Sequence, residues 1–338
     1  MNITFLIGNG FDLGLGMKSQ YSDFIPLYIK GKSGENDKNK YLKDFSSELD
    51  ENIDKWSSFE KQLGVYTKEF TNENFMTMVD QLADFQDMFV AYLKSEENRI
   101  EKTYTKANSY KFYENLTGFY GFLRAESKNV IVERISRESD LKYQFINFNY
   151  TNTLEQFAMI LEDGEENVKE KSKCNTNIGE IVHVHGTIED FSISGVNDPG
   201  QIMNKELAKN SKFINYIVKH NINIRSRTMN EMRAHEMINS SVIICVYGMS
   251  LGESDGLWWK KIAEHLFRYD ETHLVLFIHK PGHTYAQTYR AMIIEDDYLD
   301  KLQAYCGENN IRRIQHRIHI CFDDIFSIVD LEKGDKQI

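Results

Sequence analysis

The chain has 338 residues, enough for one large or two ordinary domains with a substantial buried core. Forty Lys and Arg stand against fifty-one Asp and Glu, a formal charge of −11, so the molecule as a whole repels phosphate backbones and anionic membranes. Apolar residues at 41%, with eighteen Tyr and twenty-one Phe, exclude a disordered polyelectrolyte.

The first element is a short apolar strand, Ile3–Ile7, running straight into Gly8-Asn9-Gly10. A secretory leader needs a basic start and a longer apolar stretch, and no segment approaches the roughly 20 apolar residues of a membrane span, so a cytoplasmic protein is expected. Ile7-Gly8-Asn9-Gly10-Phe11-Asp12 is the strongest motif. Glycines after the first strand of a doubly wound fold allow a tight turn and bring backbone amides close to a pyrophosphate at a helix start. A glycine turn that only packs against the sheet is the bland alternative. Asp12 suits ribose hydroxyls and helix capping equally.

From Gly34 to Glu126 helical periodicity replaces the strand signal. Trp56, Phe59, Leu63, Tyr66 and Phe70 share one helical face, with Ser57 and Glu60 forming a capping box and Trp56 a staple. A second stripe runs through Phe75, Val79, Leu82, Phe85, Phe89 and Leu93, and a third from Tyr110 to Leu123. This pattern predicts a helical insertion at 34–126 within a nucleotide-binding domain made of 1–33 and 127–338. Core packing accounts for the aromatic stripe more simply than a binding box does.

Strand Gln144–Phe148 ends in Asn147, Asn149 and Asn152, neutral amides that both donate and accept and so suit sugar hydroxyls; turn and cap roles are the ordinary alternative. Strand Ile181–Val184 brings His183-Val184-His185-Gly186, where Gly186 lets a ligand come close beside His185, a side chain able to move protons near neutrality. For His183 a hydrogen-bonded core role ranks first, ahead of general base and of metal ligand. Gly195-Val196-Asn197-Asp198-Pro199 reads as a turn. Residues 205–235 are locally basic through Lys205, Lys209, Lys212, Lys219, Arg225, Arg227 and Arg233, a pattern commoner in a solvated face than in a nucleic-acid contact.

Strand Val242–Val246 leads into Tyr247-Gly248-Met249-Ser250 and on to Asp255, consistent with a second nucleotide loop through Gly248, Ser250 and Asp255; Ser254 and Asp255 also make ordinary caps. No Gly-x-Ser-x-Gly elbow or Walker loop stands there, which demotes serine hydrolases and P-loop enzymes. Leu274–Ile278 and Ile318–Phe322 complete six strand-length runs with little polar alternation, the pattern of a parallel sheet covered on both faces. Cys174, Cys245, Cys306 and Cys321 are dispersed and imply neither a zinc ribbon nor a disulfide framework. The fold class read from these elements is α/β, Rossmann-like, with a mostly parallel sheet covered by helices and an inserted all-helical subdomain.

The Ile-Gly-Asn-Gly-Phe-Asp opening with Gly16, Tyr21, Asp23 and Phe24, the Phe148 to Glu155 block, His183 to Gly186 and Tyr247 to Asp255 together resemble the bacteriophage abortive infection AbiH family across most of the chain. More distantly, their order is similar to sirtuin-like folds that deplete NAD in phage defence. That resemblance places the catalytic asparagine on Asn149 and the histidine on His185. It puts nucleotide contacts at Gly8, Asn9, Gly10, Phe11, Asp12, Asn152, Gly248, Ser250 and Asp255. Thr151 stands where the sirtuin-like block has aspartate, and the four-cysteine zinc module of deacylating sirtuins is missing. The implied activity is hydrolysis of NAD(+) or a related nucleotide at the N-glycosidic bond, with no permanent cofactor and no metal. Asn149 would position ribose and water, and His185 would accept a proton. A defence role implies latency until a phage-derived or host trigger acts, and a homo-oligomer stays open. Two other classes also stay open: a nucleotide-sensing interaction module without turnover, and a metal-dependent nuclease toxin built on Asp12, His185 and Asp255.

Overall fold

The computed structural model describes residues 1–32, 40–52, 58–162, 175–252, 255–279 and 288–328. The cap assigned to Trp56 and Ser57, together with Cys174 and Ser254, falls outside them. Six strands form one all-parallel sheet: β1 Asn2–Ile7, β2 Asp140–Asn147, β3 Asn175–His183, β4 Ile243–Tyr247, β5 His273–Phe277 and β6 Ile318–Cys321. Their spatial order is β3-β2-β1-β4-β5-β6. That is the doubly wound Rossmann arrangement, in which the chain builds outward from β1 on one side, then returns to build outward on the other.

Side-chain alternation along the strands creates two apolar layers. On one face Leu6, Ile146, Val182, Ile244, Val246, Leu274 and Leu276 pack with Trp259, Ile262 and Leu266 of helix Gly256–Arg268 and with Ala234 and Ile238 of helix Asn230–Ser240. On the other, Phe5 meets Phe119 edge-on at 5.8 Å and lies 6.2 Å from Phe326. Phe326 in turn packs against Phe11 at 5.4 Å, Phe112 at 5.1 Å and Tyr247 at 4.8 Å. Every residue of β4 and β5 is buried, as continuous apolar runs require when helices cover both faces. A buried guanidinium finishes one crossover: Arg317 Nη1 donates to the carbonyls of Leu266, Tyr269 and Thr272, satisfying orphan acceptors at the end of helix Gly256–Arg268.

The chain divides into two compact units, one of residues 1–16, 100–184 and 232–338, which carries the sheet, and one of residues 17–99 and 185–231. Helices Lys106–Thr117 and Ala125–Ser136 belong to the first. There Phe112 stacks on Phe157 of helix Thr153–Glu162 at 5.9 Å.

The second unit is organised around aromatic rings. Helices Tyr21–Lys32, Lys40–Glu51, Phe59–Tyr66 and Phe75–Arg99 contribute Phe24, Tyr28, Phe45, Phe59, Phe85 and Phe89, all buried. Phe85 stands at the centre, stacked on Phe59 at 4.9 Å and 5.1 Å from both Phe24 and Tyr28. The aromatic stripe seen in the sequence is therefore core. Its buried cations are paired: Lys32 meets Asp84 at 2.9 Å, and Lys219 meets Glu60 at 3.0 Å, which holds the Glu60 carboxyl below its ordinary value against the opposing effect of burial. Among the described residues no helix is long and apolar enough to cross a membrane.

Phe85→Ala removes the ring that several others contact and should cost about 3–5 kcal/mol, as large-to-small aromatic changes in packed cores do. Urea denaturation of the full chain checks this; a loss under about 1 kcal/mol would show that the rings do not pack as a unit.

Candidate functional site

Open α/β sheets bind ligands outside the carboxyl ends of their strands, where the strand order reverses. Here that point lies between β1 and β4, and the two glycine motifs meet there. Gly8 N–H donates to the Tyr247 carbonyl at 2.9 Å and Gly10 N–H to the Gly248 carbonyl at 3.0 Å. The approach excludes side chains. A Cβ at Gly8 would lie 2.6 Å from Gly248 O, and one at Gly10 2.5 Å from Gly248 Cα. Gly248 also has φ +71°, in the left-handed region that glycine alone enters without cost. The three glycines thus allow loop-on-loop packing. The amides of Gly8 and Gly10 are spent in that contact, and Phe11 N–H turns back to the Gly8 carbonyl at 3.0 Å.

The residues that follow diverge. Phe11 enters the aromatic layer, while Asp12 turns into a buried polar cluster. Thr151 Oγ1 donates to Asp12 Oδ2 at 2.7 Å and Thr153 Oγ1 to Asp12 Oδ1 at 2.6 Å, so each carboxylate oxygen receives one hydroxyl. Burial pushes the Asp12 carboxyl up to about 6, with the two hydroxyls and the nearby His183 pulling the other way. Asp12 therefore links the short helix Gly10–Gly14 to the segment after β2.

Asn149 is buried in the same unit. Its side-chain Nδ2 donates to the Gly8 carbonyl at 3.2 Å, and its backbone N–H donates to Asn147 Oδ1 at 3.0 Å. His183, at the end of β3, bridges the Asn149 carbonyl through Nδ1 at 2.8 Å and Glu155 Oε1 through Nε2 at 2.5 Å. Burial alone would lower the His183 pKa, but the hydrogen bond and charge of Glu155, the Asn149 carbonyl and the charge of Asp12 together raise it. The core role read for His183 fits this burial and bonding.

The other sequence-assigned residues lie around this cluster or apart from it. Asn9 precedes helix Gly10–Gly14 and is half-buried. Asn152 precedes helix Thr153–Glu162, its carbonyl accepting from Gln156 N–H. Ser250 is exposed and its carbonyl accepts from the Trp259 indole at 3.1 Å; Asp255 occupies the cap position of helix Gly256–Arg268. His185 falls in the second unit, where its carbonyl accepts from Ile193 N–H at 2.8 Å. Gly186, at φ +73°, packs so closely that a Cβ would collide with the Phe191 carbonyl. Among the described residues no three His, Cys, Asp or Glu side chains converge in a way that could hold a metal ion.

Glu155, Thr151 and Thr153 have structural partners that the sequence reading did not assign, although they stand inside the quoted asparagine block. An acid two residues into a helix that follows a buried strand is the signal that marks Glu155. Asp324 was likewise missed: after β6 it accepts from the Tyr247 hydroxyl at 2.5 Å. Burial, reinforced by the Asp324 charge, pushes the Tyr247 phenol up, so it remains a donor. Four bases of the 205–235 stretch are engaged among the described residues: Lys219 with Glu60, Arg233 with Glu180, Arg225 over the Tyr216 ring at 4.6 Å and Lys212 over the Phe75 ring at 5.9 Å.

A family model described as "Bacteriophage abortive infection AbiH" matches residues 4–277, from within β1 to the end of β5. Neither the curated proteins nor the solved structures give a match to the chain.

Two predictions follow from the cluster and the loops. An acid whose folded pKa is raised stabilises the fold fully below its unfolded value, near 3.8 for Asp12, and loses that contribution as pH rises through about 6. Relative to Asp12→Asn, the wild-type chain should lose about 2 kcal/mol of unfolding free energy between pH 4 and pH 7, read by urea titration at each pH; parallel curves would refute the assignment. Gly248→Ala combines a left-handed backbone with contact on Gly10 Cα at 2.8 Å and should destabilise the chain by about 2–4 kcal/mol, seen as a lowered melting midpoint.

Proposed function

The chain belongs to the bacteriophage abortive infection AbiH family, and from that premise we propose that it acts by binding an NAD-like nucleotide at the β1–β4 switch point and hydrolysing its N-glycosidic bond. The family supplies a role in abortive phage infection.

One observation carries it. The buried polar cluster beside the switch point contains two carboxylates, Asp12 and Glu155, around one imidazole, His183. With His183 protonated and both acids ionised, the local charge is −1. Breaking a nicotinamide–ribose bond builds positive charge on the sugar as it approaches an oxocarbenium ion, and fixed negative charge placed beforehand stabilises that state more than the ground state. Phosphoryl transfer makes the opposite demand, for cations that neutralise charge spread over phosphate oxygens. The cluster therefore favours glycosidic cleavage over the nuclease reading, as does the net charge of −11.

Asn149 takes the role of orienting ribose and the attacking water, since its amide sits at the carboxyl ends of β1 and β2 against the Gly8 carbonyl. The glycine loops set the shape of the switch point, while the amides of Gly8, Gly10 and Phe11 are spent inside the protein. The pyrophosphate must therefore be held by other groups.

The test is release of fluorescence from an etheno-NAD analogue by the purified full chain, and NAD content of phage-challenged cells that express it. Wild type should turn the analogue over and deplete cellular NAD after infection, with Asn149→Ala reduced at least 100-fold in kcat. Turnover retained by that variant would overturn the site. Thermal stabilisation by NAD without product, in the tube and in infected cells, would favour a sensing module instead.

A further inference from the structure

We propose that His183 and Glu155 are positioning residues, an imidazolium–carboxylate pair that holds the Asn149 peptide in the orientation that nucleotide cleavage uses. The inference rests on the cleavage reading above and extends it to two residues that the family resemblance did not single out.

The geometry is a single chain of hydrogen bonds. Asn147 Oδ1 accepts from Asn149 N–H, the Asn149 carbonyl faces His183 Nδ1, and His183 Nε2 faces Glu155 Oε1, at 3.0, 2.8 and 2.5 Å. A carbonyl and a carboxylate can only accept. Both ring nitrogens must therefore carry protons if both contacts are to be made, and only the imidazolium does so. The chain of bonds thus connects the protonation of His183 to the orientation of Asn149. Remove one proton from the ring and one of its two contacts is lost.

Glu155 governs which state prevails. Among the described residues its second oxygen, Oε2, is buried with no hydrogen-bond partner, as is Asn147 Nδ2 at the other end of this series of bonds. His183 is thus the donor that the carboxylate meets among the described residues. Glu155 from helix Thr153–Glu162, Asp12 from helix Gly10–Gly14 and the Asn149 carbonyl from the segment after β2 act on the imidazole. All favour its protonated form, and burial alone opposes it. The stabilisation is fully present below the ordinary imidazole value and is lost as pH rises through the raised folded value of His183.

The ties at Asn149 are complementary. Its peptide is gripped on both sides, N–H by Asn147 and C=O by His183, while its side-chain amide reaches Gly8 at the switch point. A peptide free to rotate would carry that amide away from Gly8, and displacements of about 1 Å at a reacting centre cost on the order of 100-fold in rate. Position, not direct chemistry, is the role assigned to the pair.

The experiment compares etheno-NAD cleavage by the purified full chain with that by Glu155→Gln and His183→Asn, from pH 5.5 to 9.5, with a melting midpoint for each protein. Glu155→Gln keeps the shape of the side chain and removes the charge. It should lower kcat about 10- to 100-fold with KM changed less than about threefold, and move the alkaline fall in activity to lower pH. His183→Asn, whose amide can still donate to the Asn149 carbonyl, should retain part of the activity and lose the alkaline fall belonging to His183. Wild-type kcat and an unmoved alkaline limb in Glu155→Gln overturn the proposal, as does a kcat loss in that variant accompanied only by a lower melting midpoint. If His183→Asn does not fold, Glu155→Gln alone decides. Wild type that neither cleaves the analogue nor gains thermal stability with NAD removes the cleavage reading, and the proposal with it. A cleaving wild type with indifferent variants removes the proposal alone.

Discussion

The contact between the loops after β1 and β4 is the constraint from which the site takes its shape. It is backbone on backbone, with Gly8 and Gly10 meeting Gly248 at distances that leave no room for a methyl group. In a doubly wound sheet these loops flank the reversal of strand order, so their closeness fixes the crevice. It also fixes what comes next in sequence. With Gly10 pinned, the short helix Gly10–Gly14 can send Phe11 only into the aromatic layer and Asp12 only into the polar cluster, where Thr151 and Thr153 are waiting.

That arrangement leaves a carboxyl in a buried place, and the cluster is built to tolerate it. Two hydroxyl donors and the neighbouring His183 pull against the desolvation that raises the Asp12 carboxyl. The compensation is incomplete, and the carboxyl stays near 6. Glu155 and His183 form the counterpart, since the imidazolium bridges a backbone carbonyl and a carboxylate. Elsewhere in the sheet, buried histidines behave differently. His273 and His319 face each other across β5 and β6 at 3.1 Å, and burial, with neighbouring positive groups, holds them down at about 4 and about 3. The hydrogen-bonded carboxylate of Glu155, not burial, separates the histidine whose pKa is raised from the pair whose values are lowered.

The six strands were legible because a parallel sheet covered on both faces needs continuous apolar runs, and Ile3–Ile7, Val242–Val246 and Leu274–Ile278 have them. Legibility faded at the edge. β3 begins at Asn175, six residues before the apolar run at Ile181, because an edge strand can carry Asn175, Thr176, Asn177 and Glu180 where one side faces solvent. β2 likewise begins at Asp140, ahead of the buried part of its run. In the site, the glycines were visible but the reason for them was not. Sequence shows small residues after two strands and cannot show that the strands are neighbours, so an anion cradle and a loop-on-loop contact look alike. The pairing of Asp12 with Thr151 and Thr153 joins positions about 140 apart, and no local periodicity encodes such a contact. The pairing of Glu155 with His183 was hidden for the same reason, although the core role of His183 itself was read.

The charge of the cluster bears on chemistry through position as well as sign. An acidic chain with a glycine loop suggests capture of a nucleotide by its phosphates, yet the loop amides of Gly8, Gly10 and Phe11 are engaged by the protein itself. A phosphate would also meet carboxylates nearby. The same carboxylates become an advantage at the ribose, where charge of the opposite sign develops only as the bond breaks. Binding strength drawn from the ground state would gain nothing in rate, whereas a field that matches the transition state does. A switch point whose glycines serve packing, and whose charge is negative and buried, is therefore better suited to loosening a glycosidic bond than to gripping a pyrophosphate.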